Sequence, residues 1–420
     1  MVCVAPVLRT DVRNYTHALA EVGGLRAVVG GAIYHGESSF AKVIGALDRR
    51  FGAGLYRASE ARRLDVEVSP QQLISHPAPE LRTRVVKKLG LGKLGAARTT
   101  DRIFGELDRF AASQLRGTDR LVIGQEDCCL RTFRAARRLG ALTLYDLPIA
   151  YHTCLRQALE AEQWMFPGIC TENLTEVFAR DRQERKTAEL AEADHTLIAS
   201  NYVRSGLEGV GVQPARMTRI PYGCDPGRPY RAGSERKPVV LYVGHLSLRK
   251  GTPRLLAVWK RLGAYRTHTL LLIGKSFLRP SFLSEYAGTF EHVPHIPRSE
   301  LWEHYSSAAA FVFPSACDGF GLVLNEALSC GTPVIASSNT GAPGFLTEGV
   351  EGLTYQHGND DALAAHLDWM LSHPREVAEM GRAAYEKAQR WGWPQYRAAI
   401  RELVDRLLSG CDTRAPKTSR

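Results

Sequence analysis

Short apolar runs alternate with helix-length segments through the second half of the chain, and this alternation limits the fold more than any other feature. The runs have the length of β-strands and lie at 239–244, 269–274, 309–315 and 333–337. Strands that alternate with helices build a parallel sheet with helices on both faces. The sequence therefore predicts a doubly wound α/β domain in the second half.

The first half repeats this pattern more loosely. Its predicted strands lie at 2–7, 26–30, 120–124, 141–146 and 196–200. A chain of 420 residues is longer than one hydrophobic core usually serves, so two domains are expected. The predicted fold class is α/β, with two doubly wound, Rossmann-like domains. Because ligands bind outside the carboxyl ends of parallel strands, the expected site is a cleft between these domains.

A stretch rich in Pro and Gly at 224–238 lies between the two patterns and is typical of a linker. We therefore predict a first domain at 1–229 and a second domain at 230–408. The polar and basic residues 409–420 are predicted to form a disordered tail.

The charge of the chain favours an anionic partner. Its formal net charge is +10, and residues 1–150 carry 23 Lys and Arg against 15 Asp and Glu. The densest basic stretch, 82–93, fits either a segment lying on anionic lipid or a solvated helix, and the solvated helix is the preferred interpretation. Nucleic acid is not expected as a partner, because no helix-turn-helix, zinc or basic-aromatic motif is found.

Compartment signals favour the cytoplasm. No apolar run approaches the ~20 residues that a transmembrane helix needs, and the N-terminus reads as a strand rather than a signal peptide. The nine cysteines form neither a zinc pattern nor a disulfide framework, so reduced thiols are expected.

The strongest motif follows the predicted strand at 309–315. A glycine-rich turn carries Asp318, and the predicted helix after it carries Glu326 and stops at Gly331. Backbone N–H groups at such a turn can approach an anion at the helix N-terminus. A carboxylate on the helix suits a ribose diol, and one before it suits sugar hydroxyls. The alternative is that Asp318 is a turn residue and Glu326 a surface residue.

The spacing Asp318-x7-Glu326, in its Gly-Phe-Gly-Leu and Gly-Thr-Pro-Val context, resembles the E-x7-E signature of family 4 retaining glycosyltransferases. The resemblance implies the GT-B fold, with the donor in the second domain, the acceptor in the first, and the C-terminal helix packed back on the first domain. It also implies that Glu326 binds the donor ribose and that Asp318 binds the transferred sugar. Asp318 departs from the family's Glu by one methylene.

A second motif, Gly244-His245-Leu-Ser-Leu-Arg249-Lys250-Gly251, is similar to the family's G-R-L-x-x-x-K-G element, whose cations bind the donor diphosphate. Lys250 matches the family's lysine, His245 stands in place of its arginine, and Arg249 adds a neighbouring guanidinium. Cations stabilise a departing diphosphate, so we expect no metal ion and no cofactor beyond the nucleotide-sugar co-substrate. The alternative for Arg249 and Lys250 is a solvated helix start.

The resemblance extends to further donor-binding candidates around these motifs. They are Gly244, His245, Gly319, Phe320, Gly321, Leu322 and Ile296. A carboxylate that many family members carry near Gly344 is missing here.

Candidates on the acceptor side are weaker. Many relatives place a histidine after the strand at 141–146, where this chain has Tyr145, so His152 is the remaining candidate. A structural histidine is an equally good interpretation. Arg9 and Arg13 follow the first strand and suit an acidic acceptor, although solvated arginines are the preferred interpretation.

By resemblance, the chain is predicted to be a retaining, metal-independent hexosyltransferase that uses a nucleotide-diphosphate sugar. The predicted acceptor is a glycan or lipid-linked molecule in cell-envelope or polysaccharide biosynthesis. Peripheral contact of the protein with the inner membrane face is a further hypothesis, which requires the basic first domain to lie on anionic lipid. The alternative is a non-catalytic sugar-nucleotide-binding protein, which the departures at Asp318 and His245 favour.

Overall fold

The computed structural model describes residues 1–34, 64, 68–80, 82–83, 96–171, 178–225, 230 and 236–411. Three sequence predictions fall wholly or partly outside these residues. They concern the tail at 412–420, most of the basic stretch at 82–93, and most of the linker around residue 230. These predictions, including the domain boundary, stay predictions.

Seven parallel strands form the sheet of the first half, in the order β3-β2-β1-β4-β5-β6-β7. Their bounds are β1 Val2–Ala5, β2 Ala27–Gly30, β3 Leu73–Ser75, β4 Leu121–Gln125, β5 Leu142–Leu147, β6 His195–Ile198 and β7 Met217–Arg219. The strand order reverses between β1 and β4. This is the switch point at which doubly wound sheets bind ligands.

Six helices of the described residues accompany this sheet. They are α1 Thr10–Glu21, α2 Ala96–Ser113, α3 Leu130–Arg138, α4 His152–Met165, α5 Arg180–Glu192 and α6 Asn201–Glu208. Three short 3-10 helices lie at Pro70–Gln72, Pro214–Arg216 and Ala264–Arg266.

Six parallel strands form the second sheet, in the order β10-β9-β8-β11-β12-β13. The strands are β8 Lys237–Val243, β9 Thr269–Ile273, β10 Glu291–Val293, β11 Ala308–Phe313, β12 Val334–Ser337 and β13 Gly352–Tyr355. The helices are α7 Thr252–Leu262, α8 Pro280–Ser284, α9 Arg298–Ser307, α10 Leu322–Ser329, α11 Asp360–Ser372, α12 Pro374–Arg390 and α13 Trp393–Cys411.

The inner strands are buried on both faces, which explains their continuous apolar sequences. In β11, for example, Ala310, Phe311, Val312 and Phe313 are all buried. Two parallel α/β sheets, each with a topological switch point, confirm the predicted fold class.

Helix α13 packs back on the first half, as the resemblance implied. Its buried residues Tyr396 and Ile400 share one apolar cluster with Tyr15 and Leu19 of α1. Arg397 donates a 3.1 Å hydrogen bond to the Asn14 side chain of α1. The C-terminal helix therefore ties the end of the second half to the first domain.

The sequence missed four strands, β3, β7, β10 and β13. Each has three or four residues and at least one half-buried or exposed position. All four lie at the edges of their sheets. An edge strand buries less apolar surface than a central one, so it leaves a weaker pattern in the sequence.

Among the helices of the described residues, none is long and apolar enough to cross a bilayer.

Candidate active site

The turn between β11 and α10 holds the first predicted acid. It lies against the loop after β8, which carries Arg249 and Lys250. The Arg249 carbonyl accepts a 2.9 Å hydrogen bond from the Ala316 N–H and a 3.1 Å bond from the Ser315 hydroxyl. Gly251 has φ +67°, and a Cβ there would lie 2.0 Å from the Pro314 carbonyl oxygen. Only glycine lets the two loops come this close.

Both predicted cations converge on one carboxylate oxygen. The Lys250 ammonium donates to Asp318 Oδ2, and Arg249 Nη1 lies 3.6 Å from the same oxygen. Arg249 also donates a 3.2 Å hydrogen bond to the Cys317 carbonyl. The two sequence motifs predicted four charged residues at the donor site, Asp318, Glu326, Arg249 and Lys250, as the catalytic candidates. The structure brings three of them together.

The pKa of Asp318 is set by two opposing effects. Burial raises the pKa of this carboxyl, but the charges of Lys250 and Arg249 outweigh that effect and hold the pKa below its usual range. Asp318 is therefore ionised at neutral pH, and the loops present a carboxylate between two cations.

Gly319, which follows Asp318 in the turn, contacts the first domain. A Cβ at Gly319 would lie 2.0 Å from the Pro148 carbonyl oxygen and 2.7 Å from the Ile149 Cα, directly after β5. Phe320 is buried, and its ring packs edge-on against Tyr222 with the centroids 5.4 Å apart. The Phe320 side chain is thus occupied by packing, and its carbonyl accepts a 2.9 Å hydrogen bond from the Gly341 N–H.

The second predicted acid lies in a different polar cluster. On α10, Glu326 accepts a 3.2 Å hydrogen bond from Arg298 and a 3.0 Å hydrogen bond from the Tyr305 hydroxyl. It lines a small cavity together with Thr10, Gly223, Asp225, Arg298, Leu322, Asn325 and Trp393. Glu326 and Leu322 therefore share one wall of this cavity, while Asp318 pairs with Lys250.

Three further donor candidates lie at the carboxyl edge of the second sheet. The Gly244 N–H donates a 2.9 Å hydrogen bond to the Ile273 carbonyl, which closes the end of β8 on β9. His245 is exposed, and its ring packs edge-on against Phe277 at 5.1 Å. Ile296 is half-buried against the main core. His245 thus lies beside Arg249 and Lys250 in the loop after β8, which we call the cation loop, with its ring turned to Phe277.

His152, the acceptor-side candidate, is the first residue of α4. Its Nε2 lies 3.0 Å from the Thr187 hydroxyl, and its ring lies 4.2 Å from that of Tyr151. Burial and the nearby Lys186 charge lower the pKa of the imidazole. His152 is therefore hydrogen-bonded within the first domain, and both interpretations of it stay predictions.

The sequence missed a polar cluster at the carboxyl edge of the first sheet. Arg9 Nε donates a 3.1 Å hydrogen bond to Asp11 Oδ1. Tyr222 donates to Asp11 Oδ2 at 3.3 Å and accepts from Arg9 at 3.4 Å. Only 34% of the Arg9 side chain is exposed, so the preferred prediction of a solvated arginine was wrong. The reason is Asp11, which is fully buried and needs a cation.

Asp146 at the end of β5 belongs to this cluster. Its carboxyl accepts a 3.4 Å hydrogen bond from Gln125. Burial and the Asp11 charge raise the pKa of Asp146 to about 8. The position of Asp146 at the carboxyl end of a predicted central strand was the only sequence signal for this group.

Within the described ranges, no three His, Cys, Asp or Glu side chains come together in a way that holds a metal ion. Metal independence remains a prediction, since only chelation tests it.

Comparison with known proteins begins with the second half. Residues 230–387 match the family model described as glycosyl transferases group 1. A GDP-mannose-dependent alpha-(1-6)-phosphatidylinositol monomannoside mannosyltransferase of Mycolicibacterium smegmatis is 29% identical over 238 residues, 51% of this chain and 62% of the relative. A D-inositol 3-phosphate glycosyltransferase of Segniliparus rotundus is 29% identical over 242 residues, 50% of this chain and 54% of the relative. The matches thus span little more than half of these relatives.

Solved structures match almost the whole chain. Sucrose-phosphate synthase from Thermosynechococcus elongatus superposes with a TM-score of 0.60 at 20% identity, over 97% of this chain and 99% of that one. Anabaena HepE in complex with UDP-glucose gives a TM-score of 0.60 at 14% identity, over 96% and 99%. The chain has the GT-B fold, and the family match together with the curated relatives supports a glycosyltransferase.

Proposed function

We propose that this protein is a family 4 retaining glycosyltransferase that moves a hexose-type sugar from a nucleotide-diphosphate sugar to a glycan or lipid-linked acceptor. One observation carries the proposal. Lys250 and Arg249 converge on the Asp318 carboxylate, in a turn whose next residue touches the first domain. This supports the proposal, because cations suited to a diphosphate and a carboxylate suited to sugar hydroxyls lie together where the two domains meet.

The chemistry assigned to these residues follows from their charges. A diphosphate leaving group gains negative charge in the transition state, and fixed cations in a cleft stabilise that charge. Lys250 and Arg249 serve this purpose. Asp318, held ionised by the same cations, accepts hydrogen bonds from hydroxyls of the transferred sugar. Glu326 has two carboxylate oxygens for the donor ribose diol.

Retention is proposed to occur by front-face transfer. The departing β-phosphate oxygen accepts the proton of the acceptor hydroxyl while the new glycosidic bond forms on the same face. A double displacement needs a free carboxylate nucleophile. Asp318 is shared between two cations, and this pairing lowers its nucleophilicity, which favours the front-face route.

The acceptor proposal draws on the relatives. The name of the mycobacterial relative describes transfer to a lipid-linked glycan, phosphatidylinositol monomannoside. A glycan or lipid-linked acceptor in the cell envelope is proposed for this chain, with the protein in the cytoplasm and in peripheral contact with anionic lipid. Co-sedimentation with vesicles of anionic phospholipid at low and high salt tests the membrane contact.

The test of function is a donor panel assayed without metal. UDP-, GDP- and ADP-sugars are incubated in EDTA with glycan and lipid acceptors, and released nucleoside diphosphate is measured for wild type and Glu326→Ala. The matched control is Glu379→Ala, because Glu379 is exposed on α12. Release from one donor, lost only in Glu326→Ala, supports the proposal, and NMR of the product anomer checks retention.

Two other outcomes contradict the proposal. Activity that disappears in EDTA and returns with a divalent cation would contradict metal independence. Donor binding without release, for every acceptor supplied, would favour the non-catalytic sugar-nucleotide binder. The His245 ring, which faces Phe277 in place of the family's arginine, is the observation behind that alternative.

A further inference from the structure

One face of α4 contacts the second domain, although α4 follows β5 of the first sheet. Leu155, Leu159, Glu162 and Phe166 succeed one another at intervals of four, three and four positions along and just beyond the helix. Residues at these spacings lie on the same side of a helix. Leu155, Leu159 and Phe166 form an apolar cluster with Leu248, which lies in the loop after β8.

Glu162 makes the polar contacts of this face. It is fully buried, and its Oε1 accepts a 2.7 Å hydrogen bond from Arg254 Nε of α7. The same oxygen lies 3.0 Å from His357 Nε2, after β13. Arg254 also reaches Asp360 at 3.1 Å. A single carboxylate of the first domain thus holds two side chains of the second.

The two contacts flank the cation loop. Leu248, packed under Leu159, immediately precedes Arg249. Arg254, held by Glu162, lies in the first turn of α7, which follows Lys250 and Gly251. A turn hydrogen bond of 3.0 Å from the Gly251 N–H to the Leu248 carbonyl joins the two ends. Helix α4 therefore holds the loop on both sides of its cations.

Arg254 depends on Glu162 for electrostatic reasons. A cation in the first turn of a helix opposes the helix dipole, and Arg254 is also 93% buried, with 7% of its surface exposed. Its charge needs carboxylate partners to remain in that position. Glu162 supplies the shorter of the two contacts, 2.7 Å against 3.1 Å for Asp360.

We propose that Glu162 is a positioning residue of the donor site, which acts through Arg254 to hold Arg249 and Lys250 where the donor diphosphate binds. The inference rests on the proposed function and adds that the diphosphate site is complete only with α4 docked on the second domain. Glu162 itself touches neither donor nor acceptor in this scheme.

The experiment separates diphosphate binding from nucleoside binding. Affinities for UDP, GDP and ADP, and for uridine, guanosine and adenosine, are measured by calorimetry on the full chain. The variants are Glu162→Ala, Glu162→Gln and Leu159→Ala. The control is Glu160→Gln, because Glu160 is exposed on α4 and pairs with Arg156 of the same helix, at 2.8 Å. Melting temperatures report folding.

Glu162→Ala is expected to weaken binding of the preferred nucleoside diphosphate by about tenfold or more, the usual effect of losing one charge-assisted hydrogen bond to a ligand. Nucleoside affinity stays the same. Glu162→Gln recovers part of the loss, because its amide oxygen still accepts from Arg254, and it serves as the test variant if Glu162→Ala does not fold. In a Lys250→Ala background the effect of Glu162→Gln becomes smaller, because Arg249 is then the one remaining cation of the pair that Glu162 positions.

Equal weakening of nucleoside and diphosphate binding would overturn the inference, because a structural role alone gives that result. Unchanged diphosphate affinity in Glu162→Gln and Leu159→Ala would overturn it as well, and both outcomes leave the proposed function standing. Absence of nucleotide binding by the wild type would instead overturn the proposed function, and the inference with it.

Discussion

Two aspartates at the carboxyl edges of the two sheets show opposite electrostatic behaviour. Burial and the neighbouring Asp11 carboxylate raise the pKa of Asp146 to about 8. The pKa of Asp318 is lowered, because Lys250 and Arg249 outweigh the effect of its burial. At neutral pH the first domain therefore presents a protonated carboxyl, and the second presents a carboxylate between cations.

The two aspartates differ because their surroundings come from different parts of the chain. The charges around Asp318 belong to one short motif, Arg249-Lys250, on the loop after a neighbouring strand. The surroundings of Asp146 come from the start of α1 and from β4. Asp11 and its partner Tyr222 are 211 positions apart. The predictions below alter these two environments, the contact between them, and a neighbouring residue of the first domain.

Lys250→Ala is expected to have the largest effect. It removes the cation closest to Asp318, and turnover falls by about 10²–10³-fold, as when one electrostatic stabiliser is lost from a site. The pKa of Asp318 rises at the same time, so residual activity is lost at mildly acidic pH, where wild type is active. The pH dependence of donor hydrolysis is the measurement.

The control for that variant is Lys260→Ala, whose ammonium bonds the Glu285 carbonyl on the outside of α7. It should behave as wild type. Wild-type turnover in Lys250→Ala would contradict the role assigned to the second-domain cations.

Gly319→Ala tests the contact between the Asp318 turn of the second domain and the residues after β5 of the first domain. A Cβ at this position meets the Pro148 carbonyl oxygen at 2.0 Å, so the turn or the first domain must shift. Unfolding free energy is expected to fall by about 1–3 kcal/mol, the usual cost of overpacking. Chemical denaturation measures this loss, and the matched control is Gly117→Ala, because a Cβ at Gly117 meets no atom within 4 Å and neither glycine has a positive φ. Equal losses in both variants would show that the Pro148 contact is unimportant.

Asp146→Asn tests the raised pKa. An acid whose pKa is raised in the folded state keeps its proton there but loses it in the unfolded state. The wild type therefore loses stability as pH rises from the ordinary value of 3.8 towards about 8. The variant lacks this loss, so its stability relative to wild type rises by up to about 1.4 kcal/mol per pH unit between pH 5 and 7.

Urea denaturation at several pH values measures this difference. The pKa of Glu189 is also raised to about 8. Glu189 makes the same contribution to the pH dependence of stability in wild type and variant, so its effect cancels in the difference. A stability difference that stays constant between pH 5 and 7 would show that Asp146 has an ordinary pKa.

His152→Ala is expected to have the smallest effect. The ring bonds Thr187 within the first domain, so the loss is about 1 kcal/mol of stability, typical of one hydrogen bond, with turnover within about twofold of wild type. Kinetics with saturating donor checks this. A loss of turnover of 100-fold at unchanged stability would restore His152 as an acceptor-side catalytic residue.

Much of the second domain was predictable because its signals are local. The strands β8, β9, β11 and β12 are continuous apolar runs. The cation loop and the Asp318 turn follow neighbouring strands. Parallel strands bring their carboxyl ends to one edge, so these loops were bound to lie close together.

The separation of Glu326 from Asp318 was not predictable. Their spacing along the chain places both carboxylates near one turn, but in the structure they contact different side chains. Arg298 and Tyr305 come from α9, while Lys250 comes from the loop after β8. The spacing in the sequence fixes the position of each carboxylate along the chain. The side chains that contact it depend on how the helices and strands pack.

The sequence by itself determined the two-sheet α/β architecture, the strand–turn–helix around Asp318 and the adjacency of Arg249 and Lys250, because periodicity and turn chemistry act over a few residues. Only the tertiary structure decided the charge state of Asp146, the pairing of Arg9 with Asp11 and Tyr222, and the contact of Glu162 with Arg254, 92 positions away. Burial and ion pairing depend on groups brought together from distant segments, and no local pattern records them.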